Sequence, residues 1–166
     1  LDKKVGRNHL INVLSFILPN GNVASWIRST FNKEEVSMGQ VKIYALKTTL
    51  QHHGSVISDA IHDAVISALA YPKDKKFHRL LALNPTEFLY PNDRSEHYTI
   101  IEISLFEGRT TEAKKMLIQL IFQNIQERTG IKTQDVEITL FETPKANWGI
   151  RGMCGDEMTL NYKVEV

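Results

Sequence analysis

A shift of sixty residues lays one half of this chain on the other. Val41-Lys42-Ile43-Tyr44-Ala45 falls on Ile101-Glu102-Ile103-Ser104-Leu105 with the alternation of apolar and polar residues kept. That alternation is the period-two signature of a strand with one buried face. The same shift carries Val56, Ile57, Ala60, Ile61 and Val65 onto Met116, Leu117, Leu120, Ile121 and Ile125, an apolar stripe at helical spacing. Beyond the helices the register slips by a residue or two, with Phe77 to Leu83 against Val136 to Glu142. Literal identity is low, so the repeat is one of pattern. Strand, helix and strand in succession make a βαβ unit with a parallel pair. Two such units predict an α/β (α+β) fold, with one sheet of at least four strands and two helices on one face.

The units cover about 39–84 and 98–152. The first helix is expected over about Gly54 to Ala70, with Pro72 just past it as a stop signal. The second runs from about Thr111 to Arg128 and ends at Gly130. Pro85 to Arg94 links the halves, and its Phe88, Leu89 and Tyr90 are expected to pack over the sheet edge. Thr159 to Val166 alternates cleanly, which predicts a terminal strand within 157–166 that needs a partner. Ile118 and Phe122 lie off the main stripe of the second helix at i, i+4. They either widen the core-facing arc or form a subunit contact.

Chemistry concentrates in Phe106-Glu107-Gly108-Arg109-Thr110-Thr111-Glu112, which closes a strand, turns at a glycine and caps a helix. Thr110 or Thr111 can accept from the free N–H groups of that helix, and Glu112 suits its positive end. Arg109 thus stands where a guanidinium and helix N–H groups can converge on one carboxylate; the plain alternative is an exposed loop arginine. After the last strand of the second unit, Glu142 to Gly152 is rich in turn formers yet holds Trp148, which suggests an aromatic wall.

The segments FEGRTTEAKKMLI, DVEITLFE and NWGIRG resemble the 4-oxalocrotonate tautomerase unit of the tautomerase superfamily. The two-unit chain resembles the fused, longer members such as malonate semialdehyde decarboxylase, a fold like that of macrophage migration inhibitory factor. The likeness covers about residues 38–166 and is stronger in the second unit. It implies a homotrimer, a small carboxylate-bearing substrate, no cofactor and proton transfer α to a carbonyl by an amino-terminal proline. It also implies that Arg109 binds the substrate carboxylate and that Trp148 lines the pocket. The proline position falls on Gly39, because Met38-Gly39-Gln40-Val41-Lys42-Ile43 matches the family's start. Glu107 stands where the decarboxylases and dehalogenases have an arginine, and Glu137 where the short tautomerases have their second. The repeat sets His78-Arg79 near the strand position of Glu137, which faces the expected pocket; solvent-facing residues on an edge strand are the alternative. The catalytic candidates are therefore Gly39 (as an amine), Arg109 and His78, with Arg109, Trp148 and Arg79 as substrate binders. The alternative function is a catalytically silent trimer that binds a small acid or a protein.

Residues 1–37 have no counterpart in either unit. Lys3, Lys4 and Arg7 before Leu10 to Leu18 resemble a secretory leader with Ala24 as a cleavage residue, an apolar run too short to span a bilayer. The favoured expectation is that the working protein begins at Met38. Lys33-Glu34-Glu35 can be encoded by a purine run of the ribosome-binding type just ahead of it. Removal of Met38 would then expose a primary amine on Gly39. Twenty basic and nineteen acidic residues give a net charge of +1 with no basic block, so neither nucleic acid nor membrane is expected as a partner. One cysteine, Cys154, excludes an internal disulfide and favours a reducing compartment, the cytoplasm. It is expected in a flexible loop. His52-His53 points apart and gives no metal pattern.

Overall fold

The computed structural model describes residues 39–157. The leader 1–37, Met38 and nearly all of the expected terminal strand lie outside the described residues. Strand β1 (Gly39–Leu46) runs directly into helix α1 (Lys47–Leu69), followed by β2 (His78–Leu83) and β3 (Thr99–Phe106). Helix α2 (Thr111–Thr129) and β4 (Val136–Thr143) complete the second unit, and a short hairpin, β5 (Gly149–Ile150) and β6 (Met153–Cys154), follows. The sheet order is β2-β1-β3-β4, parallel within each unit and antiparallel where β1 meets β3. These are the two βαβ units on one sheet that the repeat predicts.

Both helices lie on one face of the sheet. Ile43, Ile101, Ile103 and Leu105 on the sheet pack with Ile57 and Ile61 on α1 and with Leu117, Ile121 and Ile125 on α2, all essentially inaccessible to water. Burying each such side chain contributes about 1.5–3 kcal/mol. Met116 is exposed instead, because Leu117, Ile121 and Ile125 form the inner line of α2. Phe122 packs partly buried against the same core, so it widens the core-facing arc. In the linker Phe88 is buried and stacks on Tyr98 with ring centroids 5.5 Å apart, whereas Leu89 is exposed.

Equivalent residues meet where the units join. Lys42 stands opposite Glu102 in the antiparallel ladder, and each is the other's counterpart under the sixty-residue shift, so the internal twofold passes between them. The Lys42 ammonium lies 3.2 Å from the Glu102 carboxylate, and the Tyr44 hydroxyl donates to the same oxygen at 3.0 Å. Identical residues on this axis would set like charges face to face; divergence of the repeats replaces repulsion with attraction.

The parallel ladders carry the repeat further than the sequence showed. Val41 pairs with His78 and Ile101 with Ile138, the same offset in both units. No register slip exists, and the counterpart of Glu137 is Phe77 rather than His78 or Arg79. The first unit's run Phe77-His78-Arg79-Leu80-Leu81 does not alternate, so matching by apolarity slides it by a residue.

The helix ends explain what was and was not legible. The Thr110 hydroxyl accepts from the Ala113 N–H at 3.2 Å, and Gly130 closes α2 at φ 74°, a cap and a stop that sequence announces. Helix α1 begins seven residues before Gly54, and Leu46 precedes it without any side-chain cap, so no capping residue announces that start. Gly54 looks like a boundary but serves packing: a Cβ there would lie 3.2 Å from Leu80 Cδ1 on β2. No helix among the described residues is long and apolar enough to cross a membrane.

Candidate functional site

Strand direction gathers the candidates. The starts of β1 and β2 and the ends of β3 and β4 share one end of the sheet. Gly39, His78, the β3–α2 junction with Arg109 and the loop carrying Trp148 are all placed there.

Gly39 is buried opposite Leu105. Its N–H donates to the Tyr71 hydroxyl at 3.1 Å, and that hydroxyl reaches the Gly39 carbonyl at 3.4 Å. The cleft beside it is lined by His62, Val65, Tyr71, Lys75 and His78, among others. His62 is buried, its Nε2 lies 2.9 Å from the Lys73 carbonyl, and its ring stands edge-on to both Tyr71 and His78. His78 Nδ1 lies 2.9 Å from the Ser58 hydroxyl. Neither Tyr71 nor His62 was singled out from sequence. Tyr71 is hidden by the stop signal of Pro72, and His62 by the apolar stripe around it.

Burial, aided by the charges of Lys76 and His62, pushes His78 down from 6.5 to about 4, against a smaller opposing pull from Asp59. The unfolded chain accepts a proton at this residue near 6.5, and the folded chain resists it until about 4. The stability contributed by His78 is therefore complete above about pH 6.5 and is lost as pH falls toward 4. Urea midpoints of the wild type are expected to drop more between pH 7.5 and 4.5 than those of His78→Gln, which keeps a partner for Ser58. Equal drops would refute the assignment.

Beyond β3 a second group gathers on Phe106. Gly108 turns the chain at φ 120°, a conformation that favours glycine. Arg109 is 6 % exposed, donates from Nη1 to the Phe106 carbonyl at 2.5 Å, and leaves Nε without an acceptor. Among the described residues no carboxylate pairs with it. The nearby Glu142 is engaged by Lys114 at 2.6 Å, which ties the start of α2 to the end of β4. A guanidinium so buried without a charged partner among the described residues is costly to the fold. The Trp148 indole N–H donates to the Thr143 hydroxyl at 2.6 Å, and its ring meets Phe106 edge-on at 5.1 Å.

The segment expected to be a flexible loop is the β5–β6 hairpin, with Cys154 exposed on β6. Arg151 and Gly152 both take positive φ, 51° and 84°, as a two-residue type I′ turn requires. Gly155 donates its N–H to the Trp148 carbonyl at 2.8 Å, and a Cβ there would strike the Lys145 carbonyl at 2.6 Å. The hairpin therefore folds back onto Trp148 and fixes its backbone.

Two candidates part company with the Gly39 cleft. Arg79 is near Gly39 but lies opposite Lys42 on the face away from the helices, where it donates to Gln40 at 3.1 Å. Glu137 sits at the opposite end of the sheet, 3.7 Å from Arg94, so it does not face the Gly39 cleft. The expectation that His78-Arg79 shares its position is corrected by the ladder register. Among the described residues no group of three or more His, Cys, Asp or Glu side chains is placed to hold a metal ion.

A family model for tautomerase enzymes matches residues 75–151. The 2-hydroxymuconate tautomerase of Pseudomonas putida is 39 % identical over 57 residues, which are 34 % of this chain and 90 % of that protein. Among solved structures, a malonate semialdehyde decarboxylase inhibited by 3-bromopropiolate is 26 % identical with a TM-score of 0.57, covering 66 % of this chain and 87 % of that one. A fused 4-OT solved as a symmetric trimer shares the fold at 19 % identity and a TM-score of 0.62, covering 70 % and 96 % of the two chains.

Proposed function

The chain belongs to the tautomerase family, and on that premise we propose that it moves a proton α to the carbonyl of a small keto or enol carboxylic acid. The observation that carries this reading is the buried Arg109 guanidinium, which has no counter-ion among the described residues, at the sheet end where the Gly39 nitrogen lies. The substrate carboxylate would supply the missing charge through paired hydrogen bonds. Trp148, held by Thr143, would wall the pocket from water.

With Met38 removed, Gly39 carries a primary amine with an ordinary pKa of about 7.7–8.0. Burial disfavours its charged form and brings it toward the range useful for a general base. The neutral amine takes the proton α to the carbonyl as the electrons move onto the carbonyl oxygen, and the resulting ammonium delivers that proton to the oxygen to give the enol; ketonisation runs the same two transfers in reverse. Decarboxylation or hydration of a related acid would use the same anchor. His78 is the second candidate base, and a weaker one, because a group that releases its proton near 4 has little affinity for it at neutral pH. Arg79 would serve as a secondary cation at the same sheet end.

Assembly as a homotrimer is part of the proposal, supported by the trimeric fused 4-OT that shares the fold. So is a cytoplasmic location, supported by the lone cysteine and testable by cell fractionation. The alternative, a silent trimer that binds a small acid or a protein, is favoured by glycine standing at the proline position. The test is ketonisation of 2-hydroxymuconate and of phenylenolpyruvate by protein beginning at Met38, with light scattering on the same sample. Turnover by a particle of three chains is expected. Tight acid binding without turnover would establish the alternative, and a stable monomer would defeat the assembly.

A further inference from the structure

We propose that Tyr71 is the positioning residue for the Gly39 nitrogen: its hydroxyl holds that nitrogen in place and favours its protonated form. The inference rests on the reading of Gly39 as the proton-transfer amine and adds the group that sets its protonation.

The contact has two points. The Tyr71 oxygen lies 3.1 Å from the Gly39 nitrogen and 3.4 Å from the Gly39 carbonyl oxygen. With its proton directed at the carbonyl, the hydroxyl presents a lone pair to the nitrogen. That nitrogen is an amide donor while Met38 is attached and an amine once Met38 is gone. An ammonium gains more from such an acceptor than a neutral amine does, so the contact stabilises the protonated form. It also fixes the nitrogen's direction, since glycine has no side chain to do so. Tyr71 itself is 6 % exposed, with its ring edge-on to His62 at 6.4 Å.

The other groups facing this nitrogen act in the opposite sense or stay neutral. Helix α1 contributes His62 and the α1–β2 connection Lys75, whose charge opposes a second positive charge nearby. Strand β2 contributes His78, which is uncharged at neutral pH. Strand β3 contributes only Ile103 and Leu105, whose apolar contact penalises charge. Among the groups lining the cleft, Tyr71 is thus the one that supports the ammonium and limits how far burial lowers its affinity for protons.

The experiment uses protein beginning at Gly39, verified by intact mass, in wild-type and Tyr71→Phe forms. Acetylation of the α-amine by acetic anhydride is followed against pH, with the N-terminal peptide resolved by mass spectrometry. The midpoint in Tyr71→Phe is expected to fall by about one pH unit, the scale of one hydrogen bond to a charged group. An unchanged midpoint in a folded variant overturns the proposal. Replacing Tyr71 by 3-fluorotyrosine keeps the ring and weakens the oxygen as an acceptor, so the midpoint should move the same way by less. It serves if Tyr71→Phe fails to fold, and no movement there overturns the proposal equally. The acid limb of kcat/KM for phenylenolpyruvate is measured in parallel, where the limb is expected to follow the amine with KM little changed. A moved amine with an unmoved limb upholds Tyr71 and rejects the amine as the catalytic base.

Discussion

Arg109→Ala is expected to weaken binding of a small keto acid or dicarboxylate by about 1.5–3 kcal/mol, roughly 10- to 150-fold. The reason is charge balance. The guanidinium is almost wholly buried, one nitrogen is committed to the Phe106 carbonyl, and Nε has no acceptor among the described residues. Under the proposed function a bound carboxylate would restore neutrality and fill the unused donor, so the complex would gain what the free protein lacks. Truncation also removes the Phe106 contact, so stability must be read separately by thermal unfolding. Arg109→Lys separates the effects: it keeps the charge but loses the planar fork, and is expected to recover only part of the affinity. Calorimetry on folded variants is the measurement. Wild-type affinity in folded Arg109→Ala would remove Arg109 as the anchor.

The second unit was legible almost to the residue, because its signals are local and agree with each other. Thr110 caps, Gly130 stops, and Leu117, Ile121 and Ile125 keep helical spacing in one short stretch. The first unit was legible only in pattern. Helix α1 starts at an uncapped leucine, and its internal glycine packs closely against Leu80 on β2, a contact no local signal announces. The β2 register escapes a local reading for the same reason. That strand lies at the sheet edge, and its ladder to β1, rather than its mixed pattern, fixes which residues turn toward the helices.

The candidate site divides along the same line. Arg109 and Trp148 sit in turn-rich segments where unusual residue types stand out. Tyr71 and His62 reach the Gly39 cleft through a helix end and a buried stripe, so their place depends on how α1 and the connection after it fold back onto β1. Arg79 and His78 are neighbours in sequence on opposite faces of one strand, as the alternation of a strand demands.

The amine is the centre of the account, and substitutions at Gly39 probe it most sharply. A Cβ at this position would lie 3.3 Å from Leu105 Cδ2 and 3.5 Å from Tyr71 Cε2. The nearest neighbour is the tip of the Leu105 side chain, which must give by a few tenths of an ångström to admit a Cβ. Its secondary ammonium still donates to the Tyr71 hydroxyl. Gly39→Pro is therefore expected to keep or raise the rate of phenylenolpyruvate ketonisation, with proline now in the family's position. A single extra residue ahead of Gly39 that cannot be removed has the opposite expected effect, because an amide nitrogen is not a base. The decisive measurement is the ketonisation rate of protein beginning at Gly39 beside that of the blocked protein, both confirmed by intact mass and by their folded assembly. Loss of turnover on blocking, with the acid still bound at Arg109, is the predicted result; full activity in the blocked protein would contradict the account and leave His78 or binding alone as the function of this end of the sheet.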